Sequence, residues 1–249
     1  MIISIITVCF NSENTIKKTL ESIQAQTYKN FELIVVDGES TDKTLEIIRE
    51  YNDIIDIIIS EKDNGVYDAM NKGIQAAKGD VIGFLNSDDF FYDQNILENI
   101  ANEFINSDID CSYGDMYYVN RFDTAIIKRK WVSGKFYKNY LKDGWIPGHP
   151  TFYLKKEIYT RVGTFNLNFK LAADYELMLR VLTDPRIKVK YHNHPQVVMR
   201  LGGLTSKNFS NRIKQNKEIY DAWKVNNIKP GYFFFLRRLI IKLKQLYHS

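Results

Sequence analysis

The sequence lacks the features that mark secreted, disulfide-rich or membrane-spanning proteins. It has two cysteines in 249 residues, Cys9 and Cys111, which are too few and too far apart for a disulfide framework or a zinc site. No stretch approaches the roughly 20 apolar residues of a membrane-spanning helix. The N-terminal run MIISIITVCFN lacks the basic segment and small-residue cleavage site of a signal peptide. These absences predict a globular protein of a reducing compartment, with this run as its first strand.

Charge is distributed unevenly, although the formal net charge is only +4. From residue 206 onward there are ten lysines and arginines but only two acidic residues, so the preceding part is net acidic. Apolar groups alternate with Arg237, Arg238, Lys242 and Lys244 near the end, and helical spacing would give them one apolar and one basic face. Residues 206–249 are therefore predicted to be a basic amphipathic helical segment that docks on an anionic membrane surface. The alternative is a segment that packs on the rest of the chain or pairs with a second copy in a homo-oligomer.

Apolar runs and amphipathic segments alternate through the first 90 residues. Strands are predicted at Ile2–Val8, Phe31–Val36, Ile54–Ile59 and Val81–Leu85, and helices at Asn14–Gln24, Lys43–Tyr51 and Ala69–Ala77. Strands separated by helices and buried on both faces predict an α/β fold with a mostly parallel, Rossmann-like sheet flanked by helices. Ligands bind at the carboxyl ends of the strands in such a sheet.

Polar residues follow each of these four strands. They are Asn11 and Glu13, then Asp37 and Gly38, then Glu61 and Asp63, and finally Asp88 and Asp89. Adjacent carboxylates repel and a buried one without a partner is costly, so Asp88 and Asp89 predict a cation at this edge. Ordinary turns and helix caps are the alternative for several of the others, such as Gly38 and Asp42 in VDGESTDKT.

Three ordered motifs carry a resemblance to a known family. They are SIITVCFNSENTIKKTLESIQAQTYKNFELIVVDGESTDKT, SEKDNGVYDAMNKGIQAAKGDVIGFLNSDD and LAADYELMLR. Together they resemble glycosyltransferase family 2, the inverting enzymes of the GT-A fold, over about residues 2–205. The resemblance implies a nucleotide-sugar donor, with UDP favoured, a divalent metal ion and a single catalytic carboxylate. It also implies a glycan or lipid-linked sugar acceptor in bacterial surface polysaccharide biosynthesis, with no nucleic acid as partner.

The resemblance divides the chain into a catalytic domain at residues 1–205 and the C-terminal segment. Within the domain, a nucleotide-sugar-binding half covers about residues 1–90 and an acceptor half about residues 91–205. The stretches CSYGDMYYV and TAIIKRKWV in the acceptor half alternate as antiparallel strands do. The expected location is the cytoplasm, at the inner face of the cell membrane.

The motif NSDD lies where the family carries its Asp-x-Asp metal motif. Asn86, Ser87 and Asp88 then stand in register, so the resemblance implies that Asp88 binds Mn²⁺ or Mg²⁺. Asn86 departs from the pattern, because its neutral side chain lowers the charge of the site while still offering an amide oxygen. Asp89 is either a supporting group or a helix cap.

The motif LAADYELMLR carries Asp174 near the start of a predicted helix. A helix N-cap is the interpretation from the local pattern alone. The family register implies that Asp174 is the catalytic base, because an inverting displacement needs a positioned carboxylate to deprotonate the acceptor hydroxyl. Both interpretations hold if the helix N-terminus points into the cleft, where its dipole favours a carboxylate.

Further contacts are implied for the donor and the acceptor. The donor contacts are Thr7, Asn11, Asp37, Asp68, Asn71, Asn86 and Ser87. The acceptor or phosphate contacts are His149 and Thr205. His192 and His194 have a spacing that metal sites use, but one metal held by a carboxylate already suffices.

Two other functions share some of these features. A sugar nucleotidyltransferase needs a glycine-rich basic loop after the first strand to hold a triphosphate, and CFNSENT in that place is not such a loop. A non-catalytic module that binds nucleotide sugars would explain Asn86, but the presence of both Asp88 and Asp174 favours an enzyme.

Overall fold

One mixed sheet runs through the molecule and carries the candidate site at its edge. The computed structural model describes residues 1–202 and 209–247, and within these ranges nine strands form a single sheet. The strands are β1 Ile3–Cys9, β2 Phe31–Asp37, β3 Ile57–Ser60, β4 Val81–Phe84, β5 Asp89–Phe91, β6 Cys111–Val119, β7 Ile127–Trp131, β8 Tyr153–Lys155 and β9 Val189–Arg200. The helices are α1 Ile16–Gln24, α2 Thr44–Arg49, α3 Val66–Ala76, α4 Ile96–Asn106, α5 Lys138–Lys142, α6 Lys156–Val162, α7 Ala173–Thr183, α8 Phe209–Val225 and α9 Phe234–Tyr247.

The order of the strands explains why the candidate residues meet. The sheet runs β3-β2-β1-β4-β8-β6-β9-β5, with β7 paired to β6. The first four of these strands are parallel, as predicted. The antiparallel pair predicted in the acceptor half is β6 with β7. The carboxyl ends of β1, β2 and β4 therefore lie at one edge, which is where an α/β sheet binds its ligand.

Each face of the sheet has its own apolar core. Ile5 of β1 packs with Leu20 and Ile100 on the face covered by α1 and α4, and its neighbour Ile6 packs with Met70 and Leu179 on the face covered by α3 and α7. Successive residues of a strand point to opposite faces. Since both faces are covered, β1 is a continuous apolar run rather than an alternating one.

The first turn of α3 starts earlier than predicted, at Val66 rather than Ala69. Gly65 is the N-cap and adopts φ +114°, a conformation that favours glycine. The Asp68 carboxylate accepts the backbone N–H of Asn64 at 2.8 Å, which closes the turn. Asp68 consequently lies within the helix.

The third strand also differs from the prediction, because it covers Ile57–Ser60 rather than Ile54–Ile59. The backbone N–H of Ile54 donates to the carbonyl oxygen of Tyr51 at 3.0 Å, in a turn that follows α2. The first apolar residues of the predicted strand therefore belong to this turn.

The C-terminal segment packs on the rest of the chain through α8 and α9. Trp223 and Phe234 are buried in the same core as α7, and their ring centroids lie 5.5 Å apart. The described part of this segment therefore shares a core with residues 1–202, as the second interpretation of the segment expects. In the ranges that the structure describes, no helix has the length and apolar character needed to cross a bilayer.

Candidate active site

The loops that follow β1 and β2 are tied together at the sheet edge. Asn11 has a left-handed φ of +47°; its N–H donates to Ser40 Oγ at 2.8 Å and its Oδ1 accepts the N–H of Thr41 at 2.9 Å. Asp37 is fully buried and accepts the N–H of Ser40 at 3.0 Å and the hydroxyl of Ser60 at 2.8 Å. Asn11 and Asp37 thus shape the floor of the predicted donor site.

The loop after β4 lies against the loop after β1. Ser87 Oγ is 2.8 Å from Ser12 Oγ, and Asn86 Oδ1 is buried without a hydrogen-bond partner. Asp89 begins β5 and so caps no helix, and both of its carboxylate oxygens are buried and unpartnered. Burial and the adjacent Asp88 raise the pKa of Asp89 well above its usual value. Such unpartnered polar atoms are rare in folded proteins and indicate a functional site.

Two arginines lie close to Asp88 and a lysine lies close to one of them, and the sequence analysis identified none of the three. Arg200 ends β9 and donates from Nη1 to the carbonyl oxygen of Asp88 at 2.7 Å. Arg121 donates to the carbonyl oxygen of Gly202 at 3.2 Å. Burial raises the pKa of the Asp88 carboxyl, and the charges of Arg121 and Arg200 oppose this. Burial and the charge of Arg200 lower the pKa of Lys18. This concentration of positive charge suits a bound anion.

Asp174 lies in the first turn of α7 and accepts a hydrogen bond from the Tyr67 hydroxyl at Oδ1, over 2.9 Å. The N-cap of α7 is Ala172, so the local interpretation of Asp174 as the N-cap is wrong. Glu218 of α8 takes over the capping, because its Oε2 accepts the N–H groups of Leu171 at 2.8 Å and Ala172 at 2.9 Å. The Asp174 carboxylate is thereby positioned at the positive end of the helix dipole.

Aromatic rings pack around the Tyr67–Asp174 pair. The ring of Tyr67 lies 5.5 Å from that of Phe165. His149 stacks on Phe84 at 5.3 Å and meets Phe165 edge-on at 5.7 Å. Burial lowers the pKa of His149, and the charge of Asp174 opposes this only in part. His149 is therefore an uncharged group near Asp174 at neutral pH.

The other predicted contacts have different surroundings. Asn71 donates from Nδ2 to the carbonyl oxygen of Phe165 and accepts the N–H of Phe165 at Oδ1, each at 2.9 Å, so Asn71 fastens the loop before α7. Asp68 is engaged in the first turn of α3, and Thr7 Oγ1 is buried without a partner. Thr205 lies outside the described residues.

His192 and His194 each bond a different carboxylate. His192 Nδ1 lies 2.9 Å from Glu103 Oε1, and His194 Nε2 lies 2.8 Å from Asp93 Oδ2. The two rings therefore take part in two separate contacts that join β9 to the elements beside it.

Comparison with known proteins agrees with this geometry. Residues 4–169 match the family model described as "Glycosyl transferase family 2". The chain belongs to glycosyltransferase family 2.

Two relatives are similar to this family 2 glycosyltransferase over most of its length. A "PGL/p-HBAD biosynthesis glycosyltransferase" of Mycobacterium bovis is 31% identical over 193 residues, which cover 76% of this chain and 72% of the relative. An Escherichia coli protein, "UDP-Glc:alpha-D-GlcNAc-diphosphoundecaprenol beta-1,3-glucosyltransferase WfgD", is 29% identical over 247 residues, which cover 98% of this chain and 94% of the relative.

Solved structures show that the enzyme has the GT-A fold. S. aureus TarS 1-349 in complex with UDP has a TM-score of 0.68 at 20% identity, covering 91% of this chain and 65% of TarS 1-349. The mannosyltransferase PcManGT from Pyrobaculum calidifontis, in complex with GDP-Man and Mn²⁺, has a TM-score of 0.64 at 17% identity, covering 99% of this chain and 69% of that chain. The glycosyltransferase described here thus spans about two thirds of the length of these structures.

Two residues after β4 carry the kind of oxygen atom that a divalent metal ion binds. Asp88 and Asn86 offer oxygen atoms, which Mn²⁺ and Mg²⁺ prefer, and the Asn86 Oδ1 lacks any other partner. Among residues 1–202 and 209–247, no group of three or more His, Cys, Asp or Glu side chains is placed to hold a metal. Water and donor phosphates would have to complete the shell, as is usual for Mg²⁺.

The Tyr67–Asp174 hydrogen bond provides a first test. Tyr67→Phe keeps the ring packed on Phe165 but removes the bond that orients the carboxylate. We expect kcat for nucleotide release from a nucleotide sugar to fall about tenfold to a hundredfold, since a hydrogen bond to a charged group contributes about 1.5–3 kcal/mol, with unchanged donor affinity by calorimetry. The control Tyr220→Phe removes an exposed hydroxyl on α8 and should leave kcat unchanged. Full activity of Tyr67→Phe would contradict an orienting role.

Proposed function

We propose that this glycosyltransferase moves a sugar, with inversion, from a nucleotide-diphosphate sugar to a glycan or lipid-linked acceptor in bacterial surface polysaccharide biosynthesis. A UDP-sugar is the favoured donor. The observation that carries the proposal is the single carboxylate, Asp174, held by Tyr67 at the start of α7. The names of the relatives support the donor and acceptor classes, because WfgD uses UDP-Glc and a sugar on diphosphoundecaprenol.

The chemistry follows from one base and one leaving group. Asp174 accepts the proton of the acceptor hydroxyl while that oxygen forms a bond to the anomeric carbon of the donor sugar. The bond from the anomeric carbon to the diphosphate oxygen breaks on the opposite face, which inverts the configuration. No covalent sugar–enzyme intermediate is needed.

The nucleotide binds at the edge formed by the loops after β1, β2 and β4. We assign Asn11, Asn86 and Ser87 to this surface, with Thr7 behind it as a buried hydroxyl without a partner. Asp37 already bonds its own loop at both oxygens, so it contributes mainly by holding the loop in shape. Asn71 and Asp68 act in the same indirect way, through the loop before α7 and the first turn of α3.

The leaving diphosphate needs positive charge. Arg121 and Arg200 supply it beside Asp88, and Lys18 adds a further charge next to Arg200. Asp88 and Asn86 would hold the divalent ion, which when bound neutralises part of the charge that develops on the diphosphate. His149 lies on the acceptor side of Asp174 and, being neutral, offers a hydrogen bond rather than a charge. Thr205 remains a proposed phosphate contact by resemblance alone.

The catalytic role of Asp174 is tested by Asp174→Asn. The change removes the proton acceptor and preserves volume, so turnover should fall about a hundredfold to ten-thousandfold while calorimetric donor affinity stays unchanged. The slow release of UDP from UDP-sugars in water measures turnover without a known acceptor. Asp221→Asn, which alters an exposed carboxylate on α8, is the control. Near-normal turnover of purified Asp174→Asn would refute the assignment.

The metal assignment is tested by binding. We expect calorimetry to show that UDP binds more tightly with Mn²⁺ than with EDTA, and that Asp88→Asn abolishes this difference. Asn86→Asp should preserve or tighten Mn²⁺ binding, because a second carboxylate attracts a hard cation. Equal UDP affinity with EDTA and Mn²⁺ would refute the metal site, and weaker Mn²⁺ binding in Asn86→Asp would refute the role of residue 86.

We further propose that α9 attaches the enzyme to an anionic membrane surface at the inner face of the cell membrane. The outer face of α9 is apolar and exposed, and consists of Leu236, Leu239, Ile240 and Leu243. Arg237, on the same helix, is half exposed and pairs with Asp143. An amphipathic helix of this kind lies in the membrane interface, and each basic residue near anionic lipid contributes about 1 kcal/mol. Such attachment would bring the active site to a lipid-linked acceptor.

Vesicle sedimentation tests this attachment. The full chain should sediment at low salt with vesicles that contain phosphatidylglycerol, and less with pure phosphatidylcholine. A triple variant, Leu236→Ser, Leu239→Ser and Leu243→Ser, should remain in the supernatant, because it removes the apolar groups that would contact the membrane. These side chains are exposed, so their loss should not disturb the core. Ile105→Ser, at an exposed apolar position on α4, is the matched control. Failure of the full chain to bind at low salt would refute the proposal, and a dimer that the triple variant dissociates would assign the outer face to a second copy.

A further inference from the structure

The inner face of α9 carries a buried cation beside the helix that bears the base. Arg238 is only 9% exposed, and its Nη1 donates to the carbonyl oxygen of Gly144 at 3.0 Å. Its guanidinium carbon lies 5.2 Å from the centroid of the Tyr175 ring. Its Nε is buried without a hydrogen-bond partner. The adjacent Arg237, in contrast, is half exposed and pairs with Asp143.

A buried guanidinium lowers the stability of the fold unless its charge or its planar shape makes a favourable contact. Burial lowers the pKa of Arg238, and the nearby Tyr175 hydroxyl and Asp174 carboxylate only partly oppose this. No ion pair with a carboxylate within 4 Å is found for Arg238 in the described chain. A hydrophobic residue of similar volume would avoid the desolvation penalty. The arginine therefore needs an explanation other than packing.

The position of Arg238 depends on a close approach between two backbone segments, the loop after α5 and helix α9. Gly144 has φ +88°, and a Cβ added there would lie 2.5 Å from the Cβ of Arg238. The loop after α5 and helix α9 thus touch at a position where only glycine fits. This contact sets the depth at which the arginine side chain reaches toward α7.

The first turn of α7 is held by residues from both C-terminal helices. Trp223 of α8 donates from Nε1 to the Tyr175 hydroxyl at 3.0 Å, while Arg238 of α9 lies over the ring of the same tyrosine. Tyr175 directly follows Asp174, so contacts that fix this ring also restrain the turn that carries the carboxylate.

We propose that Arg238 is a positioning residue, which holds Tyr175 and with it the Asp174 carboxylate, so that the seating of α9 is a condition for catalysis. This inference rests on the proposed role of Asp174 as the base. The same helix, α9, would then bind the membrane through its outer face and pack against α7 through its inner face. A small displacement of a catalytic group from its position beside the substrate lowers turnover without weakening donor binding.

The kinetic test separates positioning from folding. Arg238→Met keeps side-chain volume and removes the charge; we expect kcat for UDP release from a UDP-sugar to fall about tenfold, with KM for the donor changed less than about twofold. Arg238→Lys retains charge without the planar group and should fall between Met and wild type. Gly144→Ala should lower kcat in the same way by displacing α9. Arg186→Met, which changes an exposed arginine just after α7, should leave kcat unchanged.

A double-variant cycle decides whether Arg238 acts through the base. In an Asp174→Asn background, Arg238→Met should change the residual rate less than about twofold, because the group to be positioned is gone. A full tenfold effect in that background, or wild-type kcat in Arg238→Met, overturns the inference. If Arg238→Met fails to fold, Arg238→Lys and Gly144→Ala decide by the same criteria. High turnover of Asp174→Asn alone would instead refute the base itself, which keeps the two failures distinguishable.

Discussion

The hydrogen bond from Tyr67 to Asp174 is the contact on which the proposed chemistry depends. It joins α3, in the nucleotide half of the domain, to the start of α7, 107 residues later in the chain. A displacement needs the acceptor oxygen near both the base and the anomeric carbon, so the distance between the halves must be fixed. The packing of Tyr67 on Phe165, and the bonds from Asn71 to the backbone of Phe165, hold the same junction from behind.

Local patterns and motif order predicted much of this enzyme. Continuous apolar runs indicated the parallel strands, and the resemblance singled out Asp88 and Asp174, whose roles stay predictions. Their partners were not predictable, because Tyr67, Arg200 and Glu218 meet them only through contacts between elements far apart in the chain. Nothing in the residues flanking these three partners distinguishes them from ordinary surface or core positions. The helix cap illustrates the difference, since a neighbour in sequence was expected and a glutamate from another helix supplies it.

The edge at the ends of β1 and β4 is one of the places where folding has left buried polar groups unpaired. Thr7, Asn86 and Asp89 all carry buried oxygen atoms without hydrogen bonds. Each costs stability, and a core built for stability alone would hold apolar atoms there. Active sites commonly tolerate such a cost because the unpaired groups are already in place when the ligand arrives. The unpaired groups account for the departure from ideal packing at this edge. They are also the reason to expect that a bound nucleotide raises the stability of the fold.

The contact between α9 and the first turn of α7 has a consequence for the newly made chain. Arg238 follows Asp174 by 64 residues in the sequence, so during translation the first turn of α7 is made well before the arginine that packs on it. Until then, this turn lacks its contact with α9. The turn therefore reaches its final packing only when the last helix of the chain docks.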